Sequence, residues 1–257
     1  MIATLIGYKD LIFYKSWADL RSEARRYYMS YAWWLLEPLL EMLVFYLVFS
    51  VILSRGGPDF IQFLLIGLVA WKWFGTTVQH CGKSMIDSRG LIMQTALPKI
   101  IFPTVFILTD TFKAFIVTML IFILLFSTGF LPNQAYLALP LLLTTQFLLI
   151  MAVGYVLAAA VPFFPDLSIL VSLLLRMLWF LSGVFFDPRK ISENKQEIFF
   201  LNPMARLIDG YRGILLHERW PELMPLILVS LISIVIINLA YGFIKRNDTL
   251  YPRIVAR

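Results

Sequence analysis

Of 257 residues, 60% are hydrophobic and 15% charged, and the chain combines a mean hydropathy of +0.80 with a formal net charge of +6. That balance excludes an ordinary water-soluble domain and makes lipid the solvent. Apolar runs long enough to cross a hydrocarbon layer of about 30 Å, about 20 helical residues each, recur along the whole chain, which excludes a soluble body held by one anchor.

The first 28 residues include Lys9, Asp10, Lys15, Asp19, Arg21, Glu23, Arg25 and Arg26, so they lack the uninterrupted apolar core of a cleavable signal peptide. Residues 8–28 read instead as an amphipathic helix, with Leu11, Ile12, Tyr14, Ala18 and Leu20 among the charges. It would lie along the cytoplasmic interface with its basic side toward lipid headgroups, an ordinary juxtamembrane tail being the alternative. Six spans follow, each bounded by charge or by Gly/Pro punctuation, at about 30–53, 60–79, 101–126, 135–161, 168–186 and 224–244. The predicted fold class is therefore an all-α polytopic membrane protein, one transmembrane domain over 1–257.

The first span contains WWLLEPLLEMLVFY, residues 33–46. Pro38 lacks a backbone donor and is expected to kink the helix, with Glu37 and Glu41 turned toward the protein interior. After the second span, His80, Cys81 and Lys83 complete no metal-ligand spacing, and the one cysteine cannot form an internal disulfide. Gly82-Lys83-Ser84 imitates the end of a phosphate-binding loop, but the glycine needed five positions earlier is Thr77. No nucleotide site is read there. Residues 84–92 are predicted to form a short cytoplasmic helix with Asp87 and Arg89 exposed, a handle for a motor subunit, the alternative being a plain loop.

Between the fifth and sixth spans, the Asn202-Pro203 pair starts a second short helix in which Leu207, Ile208, Tyr211, Ile214 and Leu215 recur at helical spacing. Arg206, Asp209 and Arg212 are predicted on the opposite face. Two amphipathic helices over 192–216 would then dip into the outer leaflet as re-entrant elements capping a pathway. Asp209-Gly210 has the look of a phosphotransferase motif, yet the further metal-binding aspartates are missing before Glu218. No catalytic constellation is read in the chain.

Lysines and arginines at the ends of the spans fix an orientation. Five in the amino-terminal segment, then Lys83, Arg89 and Lys99, then Lys245, Arg246, Arg253 and Arg257 fall on one side if there are six spans, placing both termini in the cytoplasm. On the rise of about 1.5 Å per residue, Glu37, Glu41, Lys72, Asp110, Lys113 and Arg176 share one depth. A lone charge at a helix centre costs at least about 2.5–3.5 kcal/mol, so these should face protein, water or one another. Asp110 and Lys113 can pair at i,i+3. Glu37 and Glu41 would repel without basic partners, for which Arg176 and Lys72 are the candidates. Whether these groups line a polar conduit or only fix helix packing stays open at this stage. Phe45, Tyr46, Trp179 and Phe180 lie deeper than the interfacial aromatic belts, and flat aromatic faces suit the C–H faces of sugar rings.

The basic interface helix, RRYYMSYAWWLLEP leading into span one, the short cytoplasmic helix and NPMARLIDGYRGILL before span six together resemble the permease subunits of bacterial polysaccharide ABC exporters, which move O-antigen, group-two capsule and teichoic acid. The resemblance covers essentially the full length. It implies a homodimer carrying two copies of a separate nucleotide-binding ATPase subunit, with ATP and Mg held by that partner and no cofactor in this chain. It further implies a lipid-linked polysaccharide as substrate, membrane lipids but no nucleic acid as other partners, and the bacterial inner membrane as location. Ser84–Ile92 would be the coupling helix, the residues marking it being Ser84, Asp87 and Arg89. Spans one and five would line the conduit through Glu37, Glu41, Phe45, Tyr46, Arg176, Trp179 and Phe180. Residues 192–216 would form the outer gate through Asn202, Pro203, Arg206, Asp209 and Arg212. O-antigen is the preferred cargo. Capsule or teichoic acid export, a drug or lipid ABC exporter and a membrane glycolipid transferase are the competing readings.

Overall fold

The computed structural model describes residues 1–26, 32–54, 57, 59–190 and 192–256. The last two residues of the predicted interface helix, the first two of span one, Arg55 of the first outer link and Arg257 of the basic tail lie outside them. Among the described residues every regular element is helical.

Two helices precede the first span: α1 (Ile2–Gly7), which the sequence pattern did not announce, and α2 (Lys9–Arg26). The buried side of α2 is Ile12, Ser16, Leu20 and Ala24, at spacings of four, and it rests on the helix α6 (Ile101–Ser127). Ser16 Oγ donates to the carbonyls of Ile12 and, across the interface, Val105. The first span is α3 (Ala32–Tyr46), with Pro38 inside it, continued by a π-helical stretch over Leu47–Ile52.

The helix α4 (Phe60–Asp87) is the central element, packing against α3, α6, α7 (Leu139–Ala160), α8 (Leu167–Phe180) and α10 (Pro203–His217). It runs eight residues past the predicted end of span two. Polar His80 and Lys83 were read as punctuation, but Phe74, Thr77, Val78, Cys81, Ser84 and Met85 continue one buried face at helical spacing, so the helix does not stop. The predicted helix over 84–92 is accordingly corrected. Ser84 and Asp87 belong to α4, and the separate short helix is α5 (Arg89–Gln94).

Among the described residues, five helical stretches are long and apolar enough to cross a membrane: Ala32–Ile52, Phe60–Asp87, Ile101–Ser127, Gln134–Ala160 and α11 (Leu223–Arg246). The predicted fifth span, 168–186, is only partly helical. The 14 residues of α8 rise about 21 Å, short of a full crossing, before the backbone turns through Gly183 at φ +70°. Next come the two short helices α9 (Glu193–Phe199) and α10. Asn202 caps α10, its side-chain oxygen accepting from the Met204 amide at 3.0 Å, and Pro203 occupies the first turn, where no donor is needed. The chain closes with α12 (Tyr251–Val255).

Burial is uneven. Two-thirds of the α4 window is inside the protein, whereas in α3 only Pro38 is buried and in α8 nothing is. Leu40, Leu43, Val44, Leu47 and Val51 of the first span, and Ile169, Leu170, Leu173 and Met177 of α8, stand exposed.

The α4–α7 contact depends on Gly154, where an added Cβ would lie 2.9 Å from Cys81 Sγ and 3.1 Å from Cys81 Cβ. Gly154→Ala is expected to destabilise the fold by about 1–3 kcal/mol through overpacking. Gly242→Ala, whose Cβ meets nothing within 4 Å, is expected to be neutral or slightly stabilising. Thermal unfolding of both variants in detergent checks the contrast; equal midpoints would refute it.

Candidate functional site

The charges inside the spans are held in two linked groups. Lys72 of α4 reaches both acids of α3: Nζ is 2.7 Å from Glu37 Oε2 and 3.9 Å from Glu41 Oε1. The shorter contact is an ion pair off hydrogen-bond alignment. Because residues 37 and 41 lie one turn apart, a single ammonium can serve both. The second group has four members. Lys113 Nζ lies 2.5 Å from Glu23 Oε2 of α2 and 3.4 Å from Asp110 Oδ1, and His80 Nδ1 lies 2.7 Å from Asp110 Oδ2. With Asp110 ionised, that imidazole nitrogen is the donor. Lys113 also sits 5.7 Å above the Trp34 ring.

The i,i+3 pairing of Asp110 and Lys113 is present as the sequence predicts. The pairing of Glu41 with Arg176 is not: Arg176 is exposed on α8 and has no ion pair among the described residues, while Lys72 lies on the helix that directly flanks α3. His80, dismissed in the sequence for want of a carboxylate at a persuasive spacing, finds one 30 residues away. The missed signal was positional: α4 and α6 cross where both carry a polar residue in an apolar stretch.

These groups line two adjoining cavities. One of about 270 Å³ lies between α3, α4 and α6 and is lined by Trp34, Glu37, Lys72 and Trp73. The other, about 990 Å³, opens between α2, the end of α4 and α6, lined by Tyr14, Lys15, Asp87 and Phe106. Glu23, His80, Asp110 and Lys113 border both. The arrangement is a charged boundary between a groove under α2 and a largely apolar pocket within the bundle.

The aromatic residues predicted for the conduit fall partly together. Phe45 packs edge-on to Trp179 at 5.7 Å and against Phe185 at 4.2 Å, and Trp179 and Phe180 also meet Phe185, at 4.9 and 5.6 Å. Phe185, from the turn after α8, is thus the centre of a cluster whose other members were predicted without it. Phe180 leaves half its surface exposed, and Tyr46 is half-buried on α3.

At the predicted gate, Asn202 Nδ2 donates to Ser182 Oγ at 2.8 Å, tying α10 to the turn after α8. Arg206 donates to the Phe200 carbonyl at 2.6 Å and pairs with Glu222 at 3.2 Å. Asp209 accepts two bonds from Arg189, at 3.1 and 3.0 Å, and one from Arg219 at 3.2 Å, so its carboxylate is spent on arginines. Burial pushes the Asp209 carboxyl up, against the lowering effect of Arg189. Arg212 departs from its predicted place on the polar face. It is 3% exposed, its three nitrogens donate to the carbonyls of Phe63 (3.1 Å), Gly183 (2.6 Å) and Val184 (2.7 Å), and its guanidinium carbon lies 3.4 Å from the Phe63 ring centroid. Of the residues predicted to mark the coupling helix, Asp87 and Arg89 are exposed, whereas Ser84 is buried and donates to the Cys81 carbonyl at 2.7 Å.

An apolar helical bundle with a layer of paired charges and five helices long enough to cross a membrane among the described residues is the body of a multi-pass membrane protein. Residues 11–216 match the ABC-2 type transporter family, and the chain belongs to that family, whose members are transport components rather than enzymes. It is 28% identical over 239 residues to the O-antigen export system permease protein RfbA of Myxococcus xanthus, covering 92% of each chain. It is 24% identical over 214 residues to a protein of the same name from Klebsiella pneumoniae, covering 82% of this chain and 83% of that one. To the polysialic acid transport protein KpsM of Escherichia coli it is 21% identical over 233 residues, 90% of each.

The geometry makes Lys72, not Arg176, the partner of Glu41. A double-mutant cycle on thermal stability is expected to give a coupling energy of up to about 1 kcal/mol between Lys72→Met and Glu41→Gln, the range for a partly exposed pair. Arg176→Ala and Glu41→Gln should be additive; coupling in that second pair alone would reverse the assignment.

Proposed function

We propose that this chain is the export permease of an ABC transporter that moves a lipid-linked polysaccharide, O-antigen in the first instance, out across the bacterial inner membrane. The observation that carries the reading is the likeness to an O-antigen export permease over 92% of both chains. The weaker likeness to a polysialic acid transport protein favours capsule export as the second reading.

Several features of the structure fit the task. The exposed faces of α3 and α8 are what a homodimer would close, with Phe45, Tyr46, Trp179 and Phe180 from both copies lining the seam. With α8 and the turn after it counted as a crossing, the distribution of basic residues supports both termini in the cytoplasm. The exposed helix α5 would then face the cytoplasm, where two ATPase subunits holding ATP and Mg would push on Arg89 and on Asp87 at the end of α4. The groove under α2 would take the headgroup end of the lipid-linked substrate at the membrane surface, and the charged boundary of Glu23, His80, Asp110 and Lys113 would separate that groove from the pocket in the bundle. Outside, Asn202, Pro203, Arg206, Asp209 and Arg212 would hold the gate helices. Glu37 and Glu41, both ion-paired with Lys72, would set the conduit helix against α4.

Reconstituted in vesicles with its ATPase, the permease should export glycan only when ATP is present, and should do nothing alone even with a divalent metal; glycolipid transfer by the chain alone would establish the transferase instead. Phe180→Ala should slow export about two- to twelvefold, equivalent to the roughly 0.5–1.5 kcal/mol of one aromatic contact, and lower thermal stability only a little, because half of its ring is exposed. Trp179→Ala should lower stability more, because its ring packs against both Phe45 and Phe185.

A further inference from the structure

A helix of six residues cannot hold itself together in water, because its nucleation cost exceeds what so few hydrogen bonds return. That is the situation of α5, and its support comes from the far end of the chain. Arg89 Nη2 donates to the backbone carbonyl of Ala256, and α5 and α12 lie against each other. Ile92, the inward residue of α5, is 2% exposed, and Val255 of α12 is buried in the same core.

The segment holding α12 is itself fastened at two other points. Asp248 Oδ1 accepts from the Lys99 amide at 2.9 Å, just before α6. Tyr251 is fully buried; its hydroxyl donates to the Ala159 carbonyl at 3.2 Å in the last turn of α7, and its ring meets Phe163 edge-on at 5.5 Å. Burial, with Asp248 nearby, pushes its phenol well above the usual range, so the hydroxyl keeps its proton. The other face of α5 is open: Arg89, Gly90, Leu91 and Met93 are exposed, an apolar pair among them. One side of α5 is therefore seated and the other presented.

We propose that α12 is the seat of α5: through Tyr251, Asp248 and the Ala256 carbonyl it holds the short helix rigidly to the ends of α6 and α7, so that force applied to α5 by the ATPase reaches the bundle instead of melting the helix. Tyr251 is here a positioning residue that touches neither ATP nor glycan. The coupling half of this inference rests on the reading of α5 as the ATPase-facing helix.

Hydrogen–deuterium exchange of the full chain in lipid nanodiscs tests the seating without any partner. The amides of Ile92 and Thr95, bonded to the carbonyls of Ser88 and Leu91, are the reporters. Tyr251→Ala should speed their exchange about tenfold, a local loosening that spares the middle of α7, while Tyr251→Phe, which keeps the ring, should stay close to wild type. Arg89→Gln removes the link to Ala256 at an exposed site and should raise exchange at the same amides, so it serves if Tyr251→Ala does not fold. Unchanged exchange at α5 in the folded variants would overturn the proposal. In the complex with its ATPase, Tyr251→Ala, which leaves the ATPase-facing residues unaltered, should lower the glycan exported per ATP hydrolysed; looser α5 amides with unaltered coupling would overturn the coupling half. A cysteine at Met93 that fails to cross-link to the ATPase in the otherwise unaltered complex would refute the reading of α5 itself, leaving the exchange result to stand separately. The native Cys81 is buried and does not compete for the reagent.

Discussion

The guanidinium of Arg212 joins three parts of the chain that lie far apart in sequence: the first turn of α4, the turn after α8 and the helix α10. A buried cation with no carboxylate in contact must be met by dipoles, and three backbone carbonyls together with the face of Phe63 do this. Charge-assisted bonds of this kind are worth about 1.5–3 kcal/mol each, and leaving any of those carbonyls unpaired in a dry site costs a similar amount. Neighbouring backbone is shaped to fit. Gly67 has no side chain because a Cβ there would lie 2.5 Å from Arg212 Nη2, and Gly183 takes φ +70° where its carbonyl turns to the guanidinium. The aromatic cluster hangs from the same turn, since Phe185 follows Val184 directly.

Below that clamp, the charge layer shows how an apolar bundle keeps ionised groups. Four carboxylates, two lysines and one imidazole are arranged so that each carboxylate meets a nitrogen, and most of the groups border the two cavities between α2, α3, α4 and α6. The consequence is mechanical as well as electrostatic. A motion of α3 relative to α4 has to break the pairs at Lys72, and a motion of α2 relative to α6 the pair at Lys113.

Much of this was legible in the sequence, and the misses share a cause. Hydropathy located the spans and the Asn202-Pro203 pair located the start of α10, because apolar length and cap chemistry are local signals. Depth along the helices brought Glu37, Glu41, Lys72, Asp110 and Lys113 to one layer. Depth says nothing about azimuth, so Arg176 was grouped with acids it does not meet, and His80 was left alone although Asp110 lies across from it. Arg212 failed for a related reason. Amphipathic spacing assigns an arginine to the wet face, and only the tertiary arrangement of carbonyls explains why this one is inside. The length of α4 was hidden by His80 and Lys83, which are tolerated near its cytoplasmic end, while the support of α5 by α12 spans more than 160 residues and leaves no local trace.

The central claim is that Arg212 binds the gate helix to α4 and to the turn after α8 as one unit. Hydrogen–deuterium exchange over 181–186 and 203–212, compared between the unaltered chain and Arg212→Lys, tests it most directly, because lysine keeps the charge but cannot fork to three carbonyls. The account expects both stretches to exchange faster together, by about tenfold or more, with α7 unchanged. Faster exchange confined to one stretch, or to neither, would contradict it.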